Sequence, residues 1–284
     1  MPLQNTPSLL RVLPVALCLL AFASCSSTGS RGGLDADLGA YSRTVTTTSP
    51  EAQRWFDQGL GWLFAFNHDE AIHCFSEAAE LDPSCASAWW GIAVANGPHI
   101  NFPMVPPERD ALAREVLKRA RTLAAGATPI ERALIEAQHV RYGDTPPTDR
   151  APLDLAYAEA MLVVVREFPE DATVAALAAE ALMDLQPWDL WTRGGEAKGR
   201  ANEILVLLER SLELDRAHPL ANHLYIHATE ASPHPERAIP AADRLRDLVP
   251  GAGHMVHMPS HTYIRTGRLA DASRANERAM EVDA

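Results

Sequence analysis

The feature that most constrains this chain is a residue pattern that returns at a fixed step. Small, large, small and proline positions at Ala71, Phe75, Ala78 and Pro83 are spaced 0, 4, 7 and 12. The same offsets recur at Ala238, Ala242, Leu245 and Pro250, and again 34 residues later at Ala272, Asn276, Ala279 and Ala284. Looser copies fall on Tyr157, Met161, Val164 and Pro169, and on the segment from Ile204 to Leu214. Offsets of 4 and 7 put side chains on one face of a helix. Small residues on that face let an antiparallel partner approach, large ones fill the groove, and proline ends the helix. Trp55, Gly59 and Trp62 mark the partner helix upstream of the first set. A hairpin that cannot bury its apolar face alone must stack on its neighbour, so the period predicts an all-α stack of helical hairpins.

The remaining ordered segments also have helical rather than alternating periodicity, with breaks at Pro, Gly or Asp. The offsets resemble the tetratricopeptide repeat. That resemblance implies an α-solenoid whose first helices line a concave surface. Trp89-Trp90 open a second unit, which a Pro-rich insertion loop from Asn96 to Pro107 then interrupts. Loops too long for a normal turn often carry function. Helices resume at Glu108–Leu123 and after Thr128, where Thr128-Pro129-Ile130-Glu131 reads as a capping box with proline at the first helical position. The repeat domain is expected over 49–284. Ala284 closes a repeat with no polar helix after it, so further repeats or a partner are expected to cover that end.

Residues 12–24 form an apolar run behind Arg11, which suits the core of a secretory signal and is too short to span a bilayer, since spanning takes roughly 20 residues. The run ends in Phe22-Ala23-Ser24-Cys25, which resembles a lipobox. Residues 1–24 are then a lipoprotein signal peptide and Cys25 the lipidated N-terminus, with ordinary cleavage near Ala23 and a free Cys25 thiol as the alternative. Ser26 after the cysteine implies retention at the outer membrane, facing the periplasm. Residues 25–48, rich in Ser, Thr and Gly, are expected to be a flexible tether. A net charge of -12 argues against nucleic acid as a partner. Cys74 and Cys85 either pair as a disulfide or are buried separately, the second being the commoner use of two cysteines.

Seven of the eleven histidines lie between His218 and His261. His223 and His257 are 34 apart, as are His227 and His261, so each pair holds equivalent places in consecutive repeats. His223, His227 and Glu230 share a helix face at i, i+4 and i+7. Neighbouring helix axes about 9 Å apart would let these side chains converge, with His254 able to join. Pro259 either opens or kinks the second helix. Three readings stand: a divalent transition metal (Zn, Cu or Fe) held by His223, His227, His254, His257, His261 and Glu230; a hydrogen-bonded polar network; or a metal-free site for an anionic or peptide ligand.

Gln186-Pro187-Trp188-Asp189-Leu190-Trp191 places two tryptophans and an aspartate in a turn just before the histidine repeat. Trp188, Asp189 and Trp191 are expected either to wall a pocket beside the histidines or to plug an irregular seam. His99 and Asn101 in the insertion loop are weaker candidates for that pocket, while His68 and His73 read as surface residues, with His68 able to face the groove. The stretches Trp89–Asn101, Pro187–Trp191 and Asn222–Gly267 resemble a group of bacterial tetratricopeptide-repeat proteins of undefined activity. Together these readings describe an exported, lipid-anchored scaffold for a protein, peptide or small ligand, with a histidine-rich metal site on its concave face. The alternative is a metal-dependent enzyme, with Glu230 or Asp189 as its base. No His-Glu-x-x-His, Gly-x-Ser-x-Gly or phosphate-loop motif is present.

Overall fold

Proline and short polar side chains determine where most helices begin. Ser49 accepts the Ala52 N–H and Pro50 follows it, Asn67 accepts from Glu70, and Asp171 accepts from Val174, each satisfying a donor that a helix start would otherwise leave open. The structure is a computed structural model that describes residues 34, 36–143, 145 and 147–284. Its elements are α1 (Pro50–Phe64), α2 (His68–Leu81), α3 (Ala86–Ala95), α4 (Pro107–Leu123), α5 (Pro129–His139), α6 (Ala151–Glu167), α7 (Ala172–Met183), α8 (Ala201–Leu214), α9 (Pro219–Glu230), α10 (Ile239–Leu248), α11 (Gly253–His257), α12 (Pro259–Arg265) and α13 (Leu269–Val282). Two 3-10 turns, Ala124–Gly126 and Pro235–Ala238, lead into α5 and α10. The signal segment, Cys25 and residues 25–33 lie outside the described residues.

The hairpins follow the repeat. α1 packs on α2, α3 on α4, α7 on α8 and α9 on α10, while α11 and α12 together pack on α13. The first helices also touch one another: α1 meets α3, α3 meets α5, α7 meets α9, and α9 meets both α12 and α1. The inner layer therefore curls far enough to bring the start of the array against α9. At the first repeat Ala71, Phe75 and Ala78 are fully buried. The Phe75 ring lies between Gly59 of α1 and Gly91 of α3, where an added Cβ would come within 2.6 and 2.7 Å of it. That clash is the physical content of the small positions in the pattern. Ala238, Ala242 and Leu245 are likewise fully buried. Cys74 and Cys85 are separate buried thiols, pushed up to about 12 and about 11 by burial.

Residues 36–48 depart from the expected tether. They run as irregular chain across the N-terminal ends of α5, α7 and α9, with Leu38 and Val45 buried. Thr46 donates through N–H and hydroxyl to Glu131 at 2.8 and 2.6 Å. Arg43 pairs with both oxygens of Asp171, and Tyr41 bonds Thr173 at 2.6 Å while its ring meets Phe64 and His218 edge-on. Composition missed this because a low apolar content leaves a segment unordered only when nothing else supplies partners. Here three helix starts do.

Glu131 is the hub of that attachment. It completes the expected capping box with Thr128 and also accepts from Ser87 and Thr46. Burial alone would raise its carboxyl, but the bonds from Ser87, Thr128 and Thr46 outweigh this and hold it down at about 2. Replacing Glu131 by Ala is expected to cost about 2–3 kcal/mol, the scale of hydrogen bonds to a charged group. It should also expose Arg43 to trypsin; a urea midpoint and cleavage rate unchanged from the parent would contradict this assignment.

Candidate functional site

α9 begins at His218, whose ring accepts the Ala221 N–H, and Pro219. Its inner face presents His223, His227 and Glu230 in the order the spacing requires. Pro259, with no N–H to give, separates α11 from α12, so His254 and His257 lie on one short helix and His261 on the next. The six side chains do not meet at one point. They divide into two sets joined by Glu230.

In the first set, one ligand atom from each of His223, His227 and His254 lies within 4.8 Å of the others. His223 Nδ1 stands 2.7 Å from the Phe64 carbonyl, which can only accept, so this nitrogen donates and Nε2 carries the lone pair. That Nε2 faces His254 Nε2 at 3.1 Å. His227 Nδ1 donates to Glu230 Oε1 at 3.3 Å, and its Nε2 is buried with no hydrogen-bond partner. His223 thus turns a bare nitrogen toward His254, and His227 keeps another buried on the neighbouring turn of α9.

In the second set, His261 Nδ1 donates to Glu230 Oε2 at 2.5 Å and its Nε2 faces His257 Nε2 at 3.0 Å. His257 Nδ1 is 2.7 Å from Asn276 Oδ1 on α13. His227, Glu230 and His261 also bring ligand atoms within 4.8 Å of one another, yet both oxygens of Glu230 already accept imidazole protons. Glu230 therefore orients the two rings. A cavity of about 620 Å³ opens beside this set, lined by Glu230, His257, Ser260, His261, Arg265 and Asn276 among others.

Burial governs the electrostatics. It lowers His223 well below the usual imidazole range, with neighbouring His227 and His254 adding to the effect, and it lowers His227 against the opposing pull of Glu230. His254 falls to about 4, by burial first and then by the nearby rings. For Glu230 burial would raise the carboxyl, but hydrogen bonds from His227 and His261 overcome it and bring it to about 2. Burial thus favours the neutral form of His223, His227 and His254 beside an ionised Glu230.

Two aromatic residues with strained backbones flank His227. Phe66 (φ 60°) and Trp188 (φ 63°) are the non-glycine residues at positive φ among those described. The Phe66 ring is 4.4 Å from His223 and lies parallel to His227 at 6.3 Å, while Trp188 meets His227 edge-on at 4.9 Å. Phe66 occupies the left-handed position after α1: its N–H bonds the Leu63 carbonyl and Asn67 N–H bonds Trp62, a Schellman ending that ordinarily takes glycine. Bulky residues in this region cost about 1–3 kcal/mol and gather at functional sites.

The other expected residues divide. Trp191 donates to the Ala228 carbonyl at 2.8 Å and so caps the end of α9, while Trp188 walls the histidines. Asp189 is exposed and paired with Lys198, which removes it as a base for this site. Asn101 is exposed on the loop, whereas its neighbour Ile100 is buried and lines a small void with Trp188, Trp191, His227 and Glu230. His99 stacks on His68 at 3.8 Å, and His68 is buried against Phe66, which corrects its reading as a surface residue. His73 remains at the surface beside Glu77. Phe66, Phe64 and Asn276 were not anticipated. Asn276 had a signal, being polar at the offset where Phe75 and Met161 stand; the role of Phe66 had none.

No protein-family model matches the chain, and neither does any curated protein. Among solved structures 69 chains match. One, titled MamA MSR-1 C2, aligns with 15% identity over 62% of this chain and 88% of its own, with a TM-score of 0.41, too loose a likeness to bear on function.

Two measurements check this geometry. At a left-handed position glycine is the less costly truncation, so Phe66→Ala should unfold at lower urea than Phe66→Gly, by about 1 kcal/mol, the reverse of the order elsewhere. The depressed histidines set a pH dependence in the metal-free chain. His68 and His254 (about 4) and His99 and His218 (about 3), all lowered chiefly by burial, stay neutral in the fold while their unfolded counterparts protonate below about 6.5. More protons bound by the unfolded chain means stability lost as pH falls from 7 to 5. His218→Gln should shallow that slope; an identical slope would refute the account.

Proposed function

We propose that this chain is an exported, lipid-anchored helical-repeat protein that holds a divalent transition metal at His223, His227 and His254 and presents it to a ligand or protein partner. The observation that carries the reading is the buried Nε2 of His227, which has no hydrogen-bond partner, on a ring that brings a ligand nitrogen within 4.8 Å of those of His223 and His254. Buried polar atoms are almost always paired, and an orphan nitrogen among bare lone pairs is accounted for by a cation. The donor set fits: three neutral nitrogens suit Zn, Cu or Fe. His223 is anchored by the Phe64 carbonyl and His227 by Glu230, which is how metal-binding imidazoles are commonly held.

Export and lipidation rest on residues 1–25 of the sequence. No helix of the described residues is long and apolar enough to cross a membrane. A protein or peptide partner is favoured by the stacked hairpins, which offer extended surface.

One observation favours a second reading, a metal-dependent enzyme. Three protein ligands leave a coordination position free, as catalytic zinc sites do, and the cavity beside Glu230 and His261 gives a substrate room. In that reading Glu230→Gln abolishes turnover even at metal concentrations that saturate the weakened site.

Elemental analysis of the whole chain, purified without a histidine tag, tests the main proposal. At least one ion per chain is expected. His227→Ala and His254→Ala should each lower Zn²⁺ affinity by 100-fold or more, and Glu230→Gln by about 10–100-fold. A parent protein that carries no Zn, Cu or Fe and binds none on titration would sink it.

A further inference from the structure

In the second set of side chains two ring nitrogens face each other at the edge of an open cavity. We propose that a second divalent transition metal binds between Nε2 of His257 and Nε2 of His261, open to the cavity beside α9, α12 and α13. A neutral imidazole has one N–H. His257 spends it on Asn276 Oδ1 at 2.7 Å, and His261 on Glu230 Oε2 at 2.5 Å. Each Nε2 is then a lone pair, and the two stand 3.0 Å apart. Lone pairs at that separation repel unless a proton or a metal ion lies between them, and the open cavity gives a metal ion room to do so. A metal bound at 2.0–2.1 Å with tetrahedral angles holds its nitrogens about 3.3 Å apart, close to what is seen here.

The surroundings suit an ion that is only partly held by protein. Two imidazoles fix one side, and the cavity of about 620 Å³ leaves the other side to water or an oxygen-bearing ligand. This contrasts with the first set, where Phe66 and Trp188 crowd the rings. Glu230 joins the sites, since Oε1 takes His227 and Oε2 takes His261, so one carboxylate orients a ligand of each. His227 and His261 are adjacent rings, 5.6 Å between centres, and His254 and His257 are 6.3 Å apart. The two positions are therefore neighbours in one basin. The lone-pair argument for the second ion does not use the first, so either can fail alone.

Titration of the metal-free whole chain with Co²⁺, followed by its visible absorption and by equilibrium dialysis, decides the matter. Two equivalents are expected. His257→Ala and His261→Ala should each retain one, and His254→Ala should retain the other. Asn276→Leu, which removes the shorter of the two contacts to His257 Nδ1 and leaves the one from Ser260, should weaken the second equivalent by about 10–100-fold and leave the first unchanged. Circular dichroism of each variant confirms that it folds, and His257→Gln replaces His257→Ala if that variant does not. One equivalent, unaffected by His257 and Asn276 substitutions and lost in His254→Ala, overturns the second site and keeps the first. One equivalent lost in His257→Ala and kept in His254→Ala does the opposite. Binding of no Co²⁺ at all overturns both.

Discussion

The contact on which the site depends is the hydrogen bond from His223 Nδ1 to the Phe64 carbonyl, between residues 159 positions apart. A helix leaves its last carbonyls without intrahelical partners, and the end of α1 meets that need with an imidazole from α9. The same bond fixes which nitrogen of His223 is bare and aims it at His254. It exists because the inner helices curl until α1 reaches α9, which places Phe66, in its strained left-handed turn, over the His223 and His227 rings. Closure of the array and placement of these rings are one event.

Glu230 extends that logic to the other half of the basin. A buried carboxylate is costly unless its charge is met. Here two imidazole N–H groups meet it, which stabilises the carboxylate and forces both rings to turn their other nitrogens away. The Nε2 of His227 is buried, so solvent cannot relieve it, whereas that of His261 lies beside the open cavity. The fold thus keeps one ring nitrogen, His227 Nε2, unpaired in its interior, where native proteins rarely leave a polar atom without a partner.

Pattern was informative where it concerned packing. The offsets at Ala71, Phe75 and Ala78 correspond to full burial, and the Phe75 ring between Gly59 and Gly91 shows why small residues had to lie opposite it. Pattern was weaker where partners come from far along the chain. Residues 36–48 read as tether because their own apolar content is low, yet Glu131, Asp171 and Thr173 hold them. Asp189 looked like a base by proximity in sequence and instead pairs outward with Lys198. His68 lies in a turn, and only the stacking of His99 from the insertion loop buries it.

The sequence alone determined the helical class, the 34-residue step and the shared face of His223, His227 and Glu230, because helix periodicity and hairpin stacking are local properties that spacing encodes. It could not determine which imidazole nitrogens face one another, that six candidate ligands form two sets, or that Phe66, Asn276 and a main-chain carbonyl complete them. Tautomer and aim are decided by the acceptor found at each ring's other nitrogen. Those acceptors, Phe64, Glu230 and Asn276, are assembled only when α1, α9, α11, α12 and α13 pack.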